Sequence, residues 1–107
     1  VLTDSADYAA RLRQAGLDVR MLPRPSREYE TYVNALLVNG TAFVPVYNER
    51  NQQQALDVYK AAGVKVVPIE TISLSNDGLG SIHCITMTYP KVPFDQMLGI
   101  LGAREVR

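Results

Sequence analysis

The sequence contains one cysteine, one histidine and no tryptophan among its 107 residues. A single cysteine cannot form an internal disulfide bond or a metal site with several thiolate ligands, and this usage is typical of a reducing compartment. We therefore expect an intracellular, cytoplasmic protein that uses neither a metal ion nor a cofactor.

An excess of one charge and a long hydrophobic run are also missing. Eleven basic and eleven acidic side chains cancel, and no basic cluster is available for a nucleic-acid backbone or an anionic membrane. No apolar run reaches the roughly 20 residues of a membrane helix, and Asp4 and Asp7 lie where a signal peptide would be basic. The sequence predicts neither a nucleic-acid nor a membrane partner. Because it begins at Val1 rather than methionine, we expect a processed chain or part of a longer polypeptide.

The residues that are present indicate one small α/β domain. The chain is 47% hydrophobic, with charges spread along it, which fits a single globular unit. Segment 3–16 has the capping residues and periodicity of a helix, and segment 17–22 alternates like a half-buried strand. The residues expected to face inward are Tyr8, Leu12 and Ala15 in the helix and Leu17, Val19 and Met21 in the strand.

Asn39 and Gly40 mark a tight hairpin within 31–47. Two β-rich runs flank this dipeptide, which tolerates the positive φ angles that such a turn needs. The pattern then predicts, in order, a helix over 49–63, a strand over 64–72, a loop over 73–81, a strand over 82–89 and a short helix near 94–101. The residues expected on the inner face of the helix over 49–63 are Ala55, Leu56, Tyr59 and Ala62.

A short repeat links the two predicted helix-to-strand connections. The segments RQAGLDV (13–19) and KAAGVKV (60–66) superpose at an offset of 47 residues. Repeats of this size are typical of radial or stacked assemblies, in which one unit cannot bury its own apolar face. The alternative is convergence, because glycine is common at the end of any helix.

His83 and Cys84 are neighbours, which raises the question of a catalytic thiol with its base. In a regular strand, consecutive side chains point to opposite faces, so His83 would not deprotonate Cys84. A reactive thiol would need a cation or a base from elsewhere. The alternative is structural, because a lone cysteine in an apolar strand is most often an inert small hydrophobic residue and a lone histidine packs.

Three ordered segments carry a family resemblance. They are TYVNALLVNGTAFVPVYNERNQQQALDVY, then KVVPIE, and then GSIHCITMTYP, and LDVRMLPRP precedes them. Together they resemble the C-terminal third of the agmatine deiminase and bacterial peptidylarginine deiminase family. The likeness covers nearly the whole chain except its tail.

The resemblance implies an α/β-propeller of five ββαβ units, the pentein fold, of which this chain would be a fragment. It implies that 1–107 is the C-terminal part of a pentein domain, with one full ββαβ unit at about 31–72 and a nucleophile strand at 81–89. This fold agrees with the 47-residue offset. Tyr32 and Asn34 open the hairpin, where we expect them to pack or cap.

The resemblance also implies that Cys84 is the nucleophile of a hydrolase acting on guanidino groups. Its thiolate would attack the central carbon of agmatine or of a peptidyl arginine, release ammonia, and leave an amidino-cysteine that water hydrolyses to a ureido product. In the family, the histidine that transfers protons and the acids that bind the guanidinium lie in earlier repeats, and His83 is not that histidine. The resemblance therefore implies that the remainder of the domain is a partner and that the 107 residues alone are inactive.

The loop before Cys84 is the candidate wall of the substrate pocket. Asp77, Gly78 and Gly80 lie where agmatine deiminases have a run of glycines, and Ser81 replaces an asparagine of the family pattern. We expect these three residues to contact substrate, although an Asn-Asp-Gly turn kept for its backbone is an equal alternative. The sequence does not decide between free agmatine and peptidyl arginine, and it leaves a homo-oligomer open.

Two other functions remain open at this point. One is a different guanidino-modifying enzyme on the same fold, a dihydrolase or an amidinotransferase. The other is a non-catalytic binding or structural module with an inert thiol.

Overall fold

The computed structural model describes residues 1–102, and its first part is a strand, a helix and a strand. Strand β1 (Leu2–Thr3) and strand β2 (Arg20–Met21) pair in parallel, and helix α1 (Ala6–Gln14) connects them. The helix begins as its sequence predicts, because the Oγ of Ser5 accepts a hydrogen bond from the Tyr8 amide at 3.3 Å.

The expected inner faces of this part are wrong in detail. Tyr8 is 63% exposed, and Ala9 is the buried residue of α1. A small side chain suits this position, because it lets the helix lie close to two short strands. In the second strand Val19 is buried as expected, whereas Leu17 and Met21 are exposed. The reason is the length of β1: two residues provide a ladder too short to order an alternating strand over 17–22.

A three-stranded sheet forms the centre of the chain. Strand β3 (Leu36–Val38) pairs antiparallel with β4 (Thr41–Val46), and β4 pairs in parallel with β5 (Lys65–Glu70). Helix α2 (Gln52–Ala61) is the crossover between β4 and β5, so β4 is the middle strand.

The predicted hairpin is confirmed at its turn. Asn39 and Gly40 have φ angles of 50° and 74°, which is the left-handed conformation that a two-residue turn between β3 and β4 requires. The first strand is shorter than the β-rich run suggested, because 31–35 follows an irregular path before the ladder begins.

The two segments of the 47-residue repeat occupy equivalent places in the structure. Each spans the end of a helix that connects parallel strands, and each contains a glycine just past that helix, Gly16 with φ 83° and Gly63 with φ 86°. A positive φ at this position lets the chain leave the helix towards the next strand.

The core lies between α2 and the sheet. Three tyrosines contribute to it with their hydroxyl groups hydrogen-bonded, as buried phenols require. On α2, Ala55, Leu56 and Tyr59 are buried as expected, whereas Ala62 is exposed because the helix ends one residue before it. The core residues are Leu22, Tyr32, Ala35, Ala42, Val44, Val46, Tyr47, Ala55, Leu56 and Tyr59.

The chain after β5 differs most from expectation. Where a loop was predicted over 73–81, helix α3 (Ile72–Asn76) forms first, and the predicted strand at 81–89 is wrong. Residues His83–Ile85 form a 3₁₀ turn instead, and 86–89 has no strand partner within residues 1–102. β-branched and aromatic residues favour a strand only where a neighbouring strand can pair with them. The predicted tail helix is confirmed as α4 (Phe94–Leu101).

Across residues 1–102, every helix is too short or too polar to cross a lipid bilayer.

We predict that two buried tyrosines make the fold sensitive to alkali. Burial raises the pKa of Tyr32 and of Tyr59 to about 12 in each case, with a smaller contribution from nearby carboxylates. An unfolded tyrosine titrates near about 10, so the folded chain holds these protons more strongly. Their contribution to stability is complete below about pH 10 and is lost as the pH rises towards and through about 12.

The check is urea unfolding at several pH values between about 9 and 12. Tyr59→Phe should lower the free energy of unfolding by about 1 kcal/mol at neutral pH, because a hydrogen bond is lost, and should flatten the alkaline decline. Tyr8→Phe, at an exposed tyrosine, is the control and should change neither. An alkaline decline of equal slope in all three proteins would contradict this explanation.

Candidate functional site

Cys84 lies on the 3₁₀ turn that follows the loop over 77–82. Its thiol is exposed rather than sealed in the core. The turn is closed by Thr86, whose amide and hydroxyl both donate to the carbonyl oxygen of His83, at 3.2 and 3.1 Å. The turn therefore presents the sulfur to solvent.

The side-chain amide of Asn34 contacts this turn at two points. Its Nδ2 donates to the Sγ of Cys84 at 3.0 Å, and its Oδ1 accepts from the backbone amide of His83 at 2.9 Å. Asn34 thus links the approach to the hairpin with the cysteine turn, fifty residues later in the chain. The sequence predicts only a packing or capping role for Asn34 and does not predict this contact, although the residue lies within the T-Y-V-N segment that supports the resemblance.

These contacts make the thiol more acidic than an ordinary cysteine. The hydrogen bond from Asn34 lowers the pKa of Cys84 most, the backbone amide of Ser81 lowers it further, and partial desolvation opposes them. N–H donors favour the thiolate because they bind the charged form better than the neutral one. Such a thiol, acidified by donors and exposed, is the kind that acts as a nucleophile.

His83 and Cys84 lie on a 3₁₀ turn and not on a strand. The expectation that their side chains point to opposite faces of a strand is therefore wrong. The imidazole lines a cleft of about 490 Å³ beside the cysteine turn. In that cleft the Asp4 carboxylate already has two partners, since its Oδ2 accepts from the Thr31 hydroxyl at 2.9 Å and lies 3.7 Å from the Nε of Arg24. The residues that line the cleft are Asp4, Arg24, Glu28, Thr31, Val33, Asn34 and His83.

Of the three predicted loop residues, the structure brings Gly80 against the thiol. A Cβ added at Gly80 would lie 3.2 Å from the Cβ of Cys84 and 3.6 Å from its Sγ, so glycine leaves room around the sulfur. At Gly78 the added Cβ would lie 2.6 Å from the carbonyl oxygen of Leu74, which is a packing requirement. Asp77 is exposed, and its amide donates to Ser73 at the end of α3.

The segment that carries Asn34 is fixed by hydrogen bonds from the core. The hydroxyl of Tyr59 donates to the carbonyl oxygen of Tyr32 at 2.6 Å, and the hydroxyl of Tyr47 donates to that of Thr31 at 3.1 Å. The Tyr32 hydroxyl donates in turn to the Oδ1 of Asn51 at 2.7 Å. Asn34 therefore projects from a backbone with little freedom to move.

Residues 1–102 contain no cluster of three or more histidine, cysteine, aspartate or glutamate side chains able to hold a metal ion.

We predict that Asn34 sets the acidity of the thiol. Asn34→Ala should raise the pKa of Cys84, because the main donor to the sulfur is removed, and Asn34→Asp should raise it further by placing a carboxylate there. The measurement is the rate of iodoacetamide alkylation as a function of pH. Gln54→Ala, at an exposed position on α2, is the control. Profiles that coincide for all four proteins would show that Asn34 has no influence on the thiol.

Comparison with known proteins connects this site to a family. Residues 3–90 match the family described as Porphyromonas-type peptidyl-arginine deiminase. A curated Enterococcus faecalis protein bearing the name of an agmatine deiminase is 35% identical over 63 residues, which are 57% of this chain and 17% of that protein.

Solved structures share part of this fold. A Porphyromonas gingivalis protein described as an arginine deiminase has a TM-score of 0.61 and 32% identity, covering 68% of this chain and 24% of that one. Agmatine deiminase from C. jejuni has a TM-score of 0.65 and 22% identity, covering 78% of this chain and 30% of that one. The cysteine-to-serine variant of that enzyme with substrate bound has a TM-score of 0.61 and 24% identity. This match covers 69% of this chain and 25% of that one. The chain spans less than a third of these relatives and matches part of their mixed α/β fold. As the resemblance predicted, it belongs to the Porphyromonas-type peptidyl-arginine deiminase family.

Proposed function

We propose that Cys84 is the nucleophile of a guanidino-group deiminase. The observation that carries the proposal is the exposed thiol that accepts a hydrogen bond from Asn34 Nδ2 at 3.0 Å, in a chain of this family. Gly80 supports it, because the absent side chain keeps space around the sulfur. A structural cysteine would need neither the donors nor the space.

The proposed reaction proceeds in two steps. The Cys84 thiolate forms a carbon–sulfur bond to the central guanidinium carbon, and the carbon–nitrogen bond to one amino group breaks as that nitrogen takes a proton and leaves as ammonia. Water then adds to the amidino-cysteine, the carbon–sulfur bond breaks, and the ureido product leaves while the thiolate is regenerated. Cysteine suits this route because a thiolate is strongly nucleophilic and a bound guanidinium stabilises it.

The described residues supply the nucleophile but only part of a substrate site. A guanidinium keeps its charge and binds best to carboxylates in a planar, bidentate arrangement. In the cleft beside Cys84, Asp4 is already paired with Arg24 and Thr31, which leaves Glu28 as the other carboxylate of the lining and no second acid to pair with it. The sequence contains no histidine besides His83. We therefore propose that the acids and the proton-transfer histidine come from other parts of a pentein domain.

In this proposal, 1–107 is the C-terminal part of a five-bladed pentein propeller, with a ββαβ unit at about 31–72. The order β3, β4, α2, β5 supports that unit. The substrate is agmatine or a peptidyl arginine, and a homo-oligomer remains open. Asp77 directly follows α3 and is exposed to solvent. Its contact with substrate, like that of Gly78, stays a prediction.

The nucleophile is tested in the complete natural polypeptide that carries these residues. Cys84→Ala should abolish release of ammonia from both agmatine and an arginine-containing peptide, because no carbon–sulfur bond can form, while the circular dichroism spectrum stays unchanged. Turnover retained by the folded variant would refute the assignment. Release of two ammonia molecules with carbon dioxide would identify a dihydrolase instead, and transfer of the amidino group to an acceptor would identify an amidinotransferase.

The 107 residues alone should form no ureido product from either substrate, since the chain contains a single histidine and that residue does not serve the proton transfer. The assay is colorimetric detection of the ureido group after prolonged incubation. A chain refolded to the same spectrum that yields product would show that the residues described above complete the site. If the complete polypeptide is also inactive and its thiol unreactive towards iodoacetamide, the non-catalytic module is the better interpretation.

A further inference from the structure

Glu30 is a buried carboxyl group that the proposed reaction does not use. Its residue is 3% exposed, and its Oε1 accepts a hydrogen bond from the Nδ2 of Asn76 at 2.9 Å. The same Nδ2 donates to the carbonyl oxygen of Ile72 at 2.9 Å, so Asn76 is held by its own helix while it reaches Glu30. Burying a carboxyl group costs free energy unless hydrogen bonds compensate for the lost water.

The hydrogen bond between Glu30 and Asn76 lies close in sequence to the one between Asn34 and Cys84. Glu30 directly precedes the segment 31–34, which ends in Asn34, and Asn76 ends α3 directly before the loop that leads to Cys84. The Glu30–Asn76 hydrogen bond and the Asn34–Cys84 hydrogen bond therefore join the same two stretches of chain. The first is partly buried and the second lies at the surface.

The surroundings of the Glu30 carboxyl group affect its pKa. As a carboxylate oxygen, Oε2 would be buried without a hydrogen-bond partner. Burial and Glu49 raise the pKa of Glu30, while Asn76 and the Arg27 guanidinium oppose the rise. Glu49 accepts hydrogen bonds from the amide and the hydroxyl of Ser26, which lower its pKa.

We propose that Glu30 is a positioning residue for Cys84: by holding Asn76, it fixes the loop over 77–82 against the segment 31–34 and so maintains the hydrogen bond from Asn34 to the sulfur. Its meaning for catalysis rests on the proposed role of Cys84 as the nucleophile. The contact itself does not depend on substrate, so the test is made in the complete natural polypeptide without substrate.

The experiment compares Glu30→Ala, Glu30→Gln and Asn76→Ala by the pH profile of Cys84 alkylation with iodoacetamide. Glutamine keeps a carbonyl oxygen that can accept the hydrogen bond from Asn76. Glu30→Gln should therefore retain the wild-type profile. Glu30→Ala and Asn76→Ala should each move the profile to higher pH, with a severalfold lower rate at neutral pH, because the donor to the sulfur is no longer held in place. Asp18→Asn, at an exposed acid, is the matched control and should change nothing.

The outcomes separate the positioning role of Glu30 from the proposed role of Cys84 as the nucleophile. If Asn34→Ala moves the profile but Glu30→Ala and Asn76→Ala do not, Glu30 has no positioning role and the assignment of Cys84 survives. If the wild-type thiol behaves as an ordinary cysteine that Asn34→Ala leaves unchanged, the proposed activation of the nucleophile fails. Should Glu30→Ala fail to fold, Asn76→Ala breaks the same contact from the other side and alone decides. A Glu30→Gln profile that moves as far as that of Glu30→Ala would overturn the proposal.

Discussion

The site depends on the orientation of one side-chain amide. Asn34 has one end that only accepts hydrogen bonds and one that only donates. The backbone amide of His83 is a donor, so it must face Oδ1, and the Nδ2 group is thereby directed at the sulfur of Cys84. The thiol consequently receives its donor only while the approach to the hairpin and the cysteine turn keep their relative positions.

The hydrophobic core holds one of these two parts in place. Tyr47 and Tyr59 bury their rings among aliphatic side chains and use their hydroxyl groups to bind the carbonyl oxygens of Thr31 and Tyr32. A buried hydroxyl without a partner would cost free energy, so each pairing stabilises the core and at the same time fixes the backbone before Asn34. In this way α2, which carries Tyr59, contributes to the geometry of the thiol without contacting it.

Short-range signals predicted the parts of the fold that depend on neighbouring residues. The Asn39–Gly40 turn and the glycines that follow α1 and α2 act through φ angles alone, and all were found as expected. The strand over 81–89 failed because a strand needs a partner, and apolar, β-branched composition does not say whether one is present. The contact of Asn34 with Cys84 spans fifty residues, and no periodicity encodes such a distance. Only the quoted family segment, which contains Asn34, offered a sign of it.

The chemistry of the donors fits the charge of the proposed substrate. A cysteine is often activated by a neighbouring cation, but a fixed positive charge beside the sulfur would repel a guanidinium that must come within bonding distance. Asn34 and the backbone amide of Ser81 lower the pKa of the thiol as neutral dipoles. They add no net charge, so the thiolate they stabilise remains an attractive partner for a cation. In the proposed reaction the cationic substrate stabilises the thiolate further, because a nearby positive charge favours the ionised form of the thiol.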